Sequence, residues 1–173
     1  NGNTQFAFAS GEVFFKDQKT SLKTDTLYFD RIKQQAFYNS GGIVKDSSST
    51  LTSIVGRYFA KSKKYQFSSN VEIKNPKYTI NSEQLDFFSE TGIAYLYGKS
   101  TIIGKTSTVY CERGYYNTRK DIGYFVKNSR VDYENRIMYG DSIYFNRNKN
   151  FASATNNIRI IDTLNNSYVR GHY

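Results

Sequence analysis

At 173 residues the chain is long enough for one domain with a buried core. Its formal net charge of +9 suits anionic partners, and its 17% aromatic content, from 16 Tyr and 13 Phe without Trp, favours strands. The lone Cys111 excludes an internal disulfide and a cysteine-based zinc site, and the lone His172 argues against histidine acid–base chemistry. No apolar run approaches the length of a membrane-spanning helix.

Adjacent aromatic pairs recur along the chain at intervals of 30, 29, 28 and 29 residues. They are Tyr28-Phe29, Tyr58-Phe59, Phe87-Phe88, Tyr115-Tyr116 and Tyr144-Phe145. This self-similarity predicts one repeat domain spanning residues 1–173, with a partial repeat at 1–20, full repeats of about 29 residues at 21–165 and a partial repeat at 166–173. Because a single unit of this length cannot bury its apolar face, neighbouring units must share a core.

A second strand follows each aromatic pair after a turn. Eight residues after the second aromatic come Phe37, Phe67, Leu96 and Tyr124, and turn signals such as 39–42 and 90–92 lie between the strands. Side chains alternate between two faces of a strand, so the two aromatics of a pair must point in opposite directions. The sequence therefore predicts an all-β protein of stacked strand–turn–strand units with very little helix.

No pattern of catalytic residues is present. Asp25 and Asp141 are best interpreted as acceptors of backbone hydrogen bonds near turns, since short acidic side chains often have that role. The sequence lacks a nucleophile elbow, a phosphate-binding glycine loop and a metal-ligand cluster, and it resembles no RNP or cold-shock motif. We therefore expect no enzyme activity, cofactor, metal or nucleic-acid partner.

Three segments resemble the OstA/LptA family of lipopolysaccharide transport, which includes a periplasmic bridge protein and the N-terminal domain of its outer-membrane partner. They are 24–30 (TDTLYFD), 37–44 (FYNSGGIV) and 140–145 (GDSIYF). The shared signature is an acidic residue, an aliphatic residue two positions later and an aromatic two positions after that, matched by Asp25 and Asp141 with Leu27 and Ile143. Aligned on the aromatic pairs, the second and third units have Val55 and Gln84 at the acidic position.

The same alignment puts Arg57, Asp86 and Gly114 at the aliphatic position, so these three units depart from the signature there.

The resemblance implies an antiparallel β-jelly roll whose inner face binds the acyl chains of lipopolysaccharide without catalysis. It also implies a periplasmic location, association with the outer membrane, and strand-edge pairing with other jelly-roll proteins or with copies of itself. The chain starts without Met or an apolar leader, so we expect any export signal to be missing from it.

The candidate lipid-binding residues are the second aromatics of the pairs together with apolar neighbours. They are Leu27, Phe29, Phe37, Phe59, Phe67, Phe88, Leu96, Tyr116, Ile143 and Phe145. Sequence pattern does not separate an open groove from a closed core, and both interpretations stand. The first aromatics, Tyr28, Tyr58, Phe87, Tyr115 and Tyr144, are expected to form an outer ladder.

A parallel β-helix that binds carbohydrate or cleaves polysaccharide is the alternative, because a coil of about 29 residues also suits that architecture.

Overall fold

A computed structural model describes residues 5–16 and 20–172. These residues form fifteen strands and one turn of 3-10 helix, Arg147–Lys149. The strands are β1 (Phe6–Lys16), β2 (Ser21–Asp30), β3 (Gln35–Tyr38), β4 (Gly42–Lys45), β5 (Thr50–Ser53), β6 (Val55–Phe59), β7 (Lys64–Lys74), β8 (Tyr78–Phe88), β9 (Ile93–Gly104), β10 (Ser107–Asn117), β11 (Ile122–Tyr133), β12 (Arg136–Asn146), β13 (Phe151–Thr155), β14 (Ile158–Asp162) and β15 (Ser167–Gly171).

All fifteen strands belong to one sheet, in which strands that follow each other in sequence are mostly neighbours. Every strand pairing in the described part of the chain is antiparallel. The predicted all-β antiparallel fold is confirmed, and the parallel β-helix alternative is wrong. Within the described residues, no helix has the length and apolar character needed to cross a membrane.

The long strands bend at bulges near their middles. The bulges lie at residues 69–70 of β7 and 98–99 of β9, where two residues stand opposite one residue of the neighbouring strand, Glu83 of β8 or Glu112 of β10. Where the break is more complete, one long strand becomes two short ones, as in β3 with β4, β5 with β6 and β13 with β14. The bends fold the sheet along one line into two facing layers.

The two layers are in direct contact. The rings of Tyr78, at the start of β8, and Tyr116, at the end of β10, meet edge to face with centroids 5.3 Å apart. In the strand ladders these residues have other partners, Gly104 for Tyr78 and Ala94 for Tyr116. Their contact therefore spans the fold of the sheet.

The structural repeat is 29 residues without insertion or deletion. The strands before the turns end at Asp30, Phe59, Phe88, Asn117 and Asn146. Left-handed backbone recurs at the same interval in the following turns, at Gln34, Lys63, Gly92, Asp121 and Asn150. The intervals of 30 and 28 residues between aromatic pairs therefore do not reflect a change in repeat length. They arise because the pairs of the second and third units lie one position later within the repeat.

The exact repeat corrects the alignment of the second and third units. At 29-residue spacing the acidic position reads Asp25, Ile54, Glu83, Glu112 and Asp141, and the aliphatic position reads Leu27, Gly56, Leu85, Gly114 and Ile143. Glu83 and Leu85 thus replace the Gln84 and Asp86 of the sequence-based alignment. The two glycines have a packing reason, since a Cβ on Gly56 would collide with the Tyr38 ring and one on Gly114 would press on Phe125.

The core lies between the layers, mainly from β7 to β12. Its most buried side chains have 0% relative exposure. They include Ile80, Leu85, Leu96, Tyr116 and Phe125. Toward the N-terminal end the interior is less filled.

Candidate functional site

An internal cavity of about 960 Å³ opens between the two layers in the N-terminal half. One wall carries Tyr65 and Phe67 of β7 and Phe87 of β8, all on the inner face, with Tyr65 directly opposite Phe87. The facing wall carries apolar residues of the other layer. They are Val44, Leu51, Ile73 and Tyr78. The cavity is therefore apolar on both walls.

The mouth of the cavity is polar and carries more positive than negative charge. Lys16, Lys45 and Arg119 line it together with Asp46. Arg119 is held in place because its guanidinium donates to the backbone carbonyls of Ser89 and Glu90, at 2.8 and 2.9 Å. The Asp46 carboxylate accepts hydrogen bonds from the backbone of its own turn, which rigidifies this side of the mouth.

In the C-terminal half a polar cluster closes the gap between the layers; we call it the latch, formed by Lys77, Tyr78, Ser107, Tyr116, Asp121 and Arg147. The Lys77 ammonium binds the Asp121 carboxylate at 2.9 Å. The Arg147 guanidinium donates to the Tyr116 hydroxyl at 3.2 Å and to the Ser107 hydroxyl at 3.0 Å. The contacts of Lys77 with Asp121 and of Arg147 with Ser107 join one layer to the other, whereas Tyr116 and Arg147 belong to the same layer.

Within the latch, Arg147 also contacts aromatic rings of the interior. The guanidinium stacks near the Tyr78 and Phe145 rings, 5.9 and 5.4 Å from their centroids. Burial raises the pKa of Tyr116 far above the ordinary phenol value, with Arg147 opposing that shift. Beyond the latch the core is filled, so the chain has both an open half and a closed half.

The ten predicted lipid-binding residues fall into three groups. Phe67 lines the cavity, and Leu27 and Phe29 belong to the same inner face, where Phe29 is 42% exposed because it lies near the end of the sheet. Four others are buried in the filled half. They are Leu96, Tyr116, Ile143 and Phe145.

The remaining three, Phe37, Phe59 and Phe88, lie on the outer face. Phe37 stacks on Tyr28 at 5.0 Å, and Phe88 meets Tyr95 edge to face at 5.7 Å. The Lys64 ammonium sits 4.7 Å from the centroid of the Phe59 ring. The assignment of Phe59 and Phe88 to the interior was wrong because the aromatic pairs of the second and third units are shifted by one position, and one position reverses the face of a strand residue. Phe37 was wrong for another reason, since it pairs with Tyr28 of the outer ladder and so shares its face.

The same shift hid residues of the inner face. Tyr58 and Phe87 were expected in the outer ladder, yet they share the inner position with Phe29, Tyr116 and Phe145 at 29-residue intervals. The Tyr58 ring contacts that of Tyr65 with centroids 4.5 Å apart. Aligning the chain on its turns and bulges, rather than on aromatic pairs, would have found them.

The remaining ladder residues lie outside as expected. Tyr115 contacts both Tyr95 and Tyr124, and Tyr144 contacts Phe151, with centroids 6.0 to 6.3 Å apart. Tyr173, in the predicted last partial repeat, lies outside the described residues.

Chemically reactive groups are not assembled around the cavity. Cys111 is buried, and burial raises the pKa of its thiol to about 12. Among the described residues, no group of three or more His, Cys, Asp or Glu side chains is arranged to hold a metal ion. What the cavity provides is apolar surface under a charged mouth.

Comparison with known proteins gives two similarities. Residues 1–83 match the family described as OstA-like protein. The fold is similar to the crystal structure of LptH, the LptA homologous periplasmic component of the lipopolysaccharide transport device of Pseudomonas aeruginosa. The TM-score is 0.58 at 9% identity, over 62% of this chain and 81% of LptH. No curated protein sequence matches.

Proposed function

We propose that this chain, whose residues 1–83 match the OstA-like family, is a non-enzymatic module of lipopolysaccharide transport that holds lipid acyl chains in its interior cavity. The whole chain, residues 1–173, acts as one repeat domain in this proposal. The LptH resemblance supports the jelly-roll architecture that the proposal needs.

The open cavity is the observation that carries the proposal. Its volume of about 960 Å³ is at the upper end of the roughly 300–1,000 Å³ usual for small-molecule sites. Each methylene moved from water to apolar walls contributes about 0.8 kcal/mol, so an acyl chain gains affinity from surface alone. The cavity also lies largely within the residues that match the OstA-like family.

Charge at the mouth suits the other end of such a lipid. Lys16, Lys45 and Arg119 are placed to meet phosphate groups outside the cavity, and an arginine binds phosphate oxygens in pairs. The proposal includes a periplasmic location, which is supported by the similarity to LptH, a periplasmic component. Association with the outer membrane is a further part of the proposal and rests on the family resemblance of the sequence.

Photo-crosslinking tests where the lipid lies. We would replace Phe87, on the cavity wall, with benzoylphenylalanine and irradiate the protein with lipopolysaccharide. The same replacement at Tyr115, which is on the outer face and 37% exposed, is the matched control. We expect a lipid adduct at position 87 and none at position 115. Equal labelling at both positions, or none at position 87, would contradict the proposal.

The two outermost strands support a further part of the proposal, assembly by strand-edge pairing. Among the described strands, β1 pairs only with β2 and β15 only with β14. Both carry exposed apolar side chains, such as Phe8 at 71% and Val169 at 65% exposure. An unpaired edge of this kind is a template for another strand.

A lysine at the edge should weaken this assembly, because charge on an edge strand opposes pairing. We expect Val169→Lys to shift the chain toward monomer in sedimentation velocity, while Ile32→Lys, in an exposed turn, leaves association unchanged. A chain that stays monomeric at every concentration tested would remove assembly from the proposal and leave lipid binding untouched.

A further inference from the structure

A second depression, of about 650 Å³, lies on the outer face in the C-terminal half. It is separate from the cavity between the layers, and the two share no lining residue. Its lining is polar and aromatic, with residues from the three strands β10, β11 and β12 and from the break between β13 and β14. The principal lining residues are Thr108, Tyr110, Asn128, Arg130, Tyr139 and Asn157. Two carboxylates also line it, and both have partners: Asp132 accepts from Arg130 and Asp141 accepts from Asn157.

Strand register builds a row of alternating tyrosine and arginine beside this depression. Tyr110 is opposite Arg130, Arg130 is opposite Tyr139, and Tyr139 is opposite Arg159. The guanidinium carbons of Arg130 and Arg159 lie 5.6 and 4.3 Å from the centroid of the Tyr139 ring. The ring holds both cations by cation–π attraction.

Arg130 and Arg159 differ in their partners. Arg130 donates two hydrogen bonds of 2.6 Å to the Asp132 carboxylate, which orients its guanidinium. Arg159 is exposed and forms no ion pair with the described residues. A cation held by a ring and lacking a carboxylate is available to an anionic ligand.

The floor of the depression is formed by backbone. Ser129 and Gly140 pair with each other on the opposite, inner face of the sheet, where Ser129 is only 2% exposed. The depression therefore takes its side chains from the outward residues of the strands.

The repeat supplies an internal comparison. Another depression, of about 520 Å³, occupies the same structural position 87 residues earlier, three repeats away. Equivalent positions of the two depressions carry different residues. Tyr110, Arg130, Tyr139 and Asp141 of the C-terminal depression correspond to Lys23, Ile43, Thr52 and Ile54 of the N-terminal one. The fold therefore creates the depression but does not demand its tyrosine and arginine lining.

We propose that the C-terminal depression, with Tyr110, Arg130, Tyr139 and Arg159 at its side, binds an anionic saccharide, a sugar that carries phosphate or carboxylate groups. The Tyr110 ring has no ring or cation contact within the described chain and offers a flat apolar surface to a sugar ring. The side chains of Asn128, Asn157 and Thr108 supply hydrogen-bonding groups for hydroxyls, and Arg159 binds the anion.

This inference goes beyond the proposed function, since it concerns a different face and needs no acyl chain. Its failure would leave lipid binding in the cavity intact, and loss of lipid crosslinking at position 87 would leave the saccharide site intact.

Isothermal titration of the full chain with four probes tests it. Tri-galacturonate is a saccharide with carboxylates, and glucose 6-phosphate is a sugar with a phosphate. Maltotriose tests binding of an uncharged saccharide, and inorganic phosphate tests binding of an anion without a sugar. We expect at least one of the two acidic saccharides to bind saturably. The affinities for maltotriose and for inorganic phosphate should be lower by about tenfold or more.

Substitutions locate the binding. Tyr110→Ala and Arg159→Gln should each lower the affinity for the acidic saccharide by about tenfold. This is the expected effect of losing a stacking surface or a charged hydrogen bond. Lys23→Ala, at the position equivalent to Tyr110, is the matched control and should leave affinity unchanged. Circular dichroism and thermal unfolding verify that each variant is folded.

The proposal is overturned by absence of saturable binding for both acidic saccharides, by equal affinity for inorganic phosphate, or by unaltered affinity in both variants. Binding that Lys23→Ala weakens as much as Tyr110→Ala would also overturn it.

Discussion

At the scale of single residues, Tyr38 shows how the repeat accommodates a large side chain. It is 3% exposed, and its ring lies over Gly42 of β4 and Gly56 of β6. Its hydroxyl pairs with that of Ser53 at 2.7 Å. Burial raises the pKa of Tyr38, with the Ser53 hydrogen bond opposing the shift. The two glycines are therefore required by packing against one ring.

Gly56→Ala should destabilise the protein by about 1–3 kcal/mol, the usual cost of overfilling a packed site. The new methyl group would overlap the Tyr38 ring, which has no free space to move into. Gly171→Ala is the control, since its nearest neighbour to a new Cβ is Ile158 at 3.9 Å. Urea unfolding measures both, and equal free energies of unfolding for the two variants would disprove the packing role.

Cys111 should be inert in the native protein. Burial raises the pKa of its thiol to about 12, so at pH 8 the reactive thiolate is about one part in ten thousand. We expect iodoacetamide to label Cys111 in urea and to leave it unlabelled without denaturant. Labelling at similar rates in both conditions would show that the thiol is accessible.

The same pKa shift has a consequence for stability. Because the folded-state pKa is raised, the contribution of the protonated thiol is fully present below pH 9 and is lost as pH rises toward 12. The stability difference between the protein and its Cys111→Ala variant should therefore shrink over that interval, as measured by urea unfolding across pH.

At the scale of elements, the bulges decide where each strand bends. Left-handed residues occur in pairs there, at Ser69 and Asn70, at Lys127 and Asn128, and at Asn156 and Asn157. Asparagine adopts this conformation at lower cost than other residues with a Cβ. Glutamate or aspartate on the neighbouring strand then binds the asparagine, as Glu112 does with Asn128 at 2.8 Å. The bulge is thus specified locally.

Asn128→Val should destabilise the fold by roughly 1–2 kcal/mol more than Asn128→Gly. Both variants lose the hydrogen bond to Glu112, so the difference isolates the backbone conformation, whose φ is 55°. Thermal or urea unfolding of the pair gives the difference directly. A glycine variant less stable than the valine variant would mean that left-handed geometry is not what position 128 requires.

At the scale of the whole molecule, the latch separates an open half from a filled half. Tyr78 contributes to both, since it lines the cavity and meets Tyr116 across the fold. Asp121 is central because its carboxylate, 3% exposed, binds Lys77 and accepts from the Tyr116 hydroxyl. Lys77 is 66% exposed, so the two ends of this ion pair are solvated very differently.

That asymmetry predicts unequal effects of removing either charge. Lys77→Met leaves the buried Asp121 carboxylate without its counter-charge and should cost about 2–4 kcal/mol. Asp121→Asn leaves an exposed ammonium in water and should cost less, about 1 kcal/mol, since asparagine also tolerates the left-handed φ of 53°. Urea unfolding of both variants tests the order, and the reverse order would refute it.

The amino-acid sequence by itself determined the all-β class, the repeat of about 29 residues and the scarcity of helix, because alternation and turn chemistry are local properties. It did not determine which aromatics face inward, since Phe59 and Tyr58, or Phe88 and Phe87, differ by one position and only pairing across the sheet selects a face.

Only the tertiary structure decided that the interior is open at one end and filled at the other. That division depends on contacts between residues far apart in the chain, such as Lys77 with Asp121 and Ser107 with Arg147. These contacts exist because bulges fold one sheet onto itself and bring its two layers together. Local sequence specifies each bend, but what the bends bring together is a property of the assembled layers.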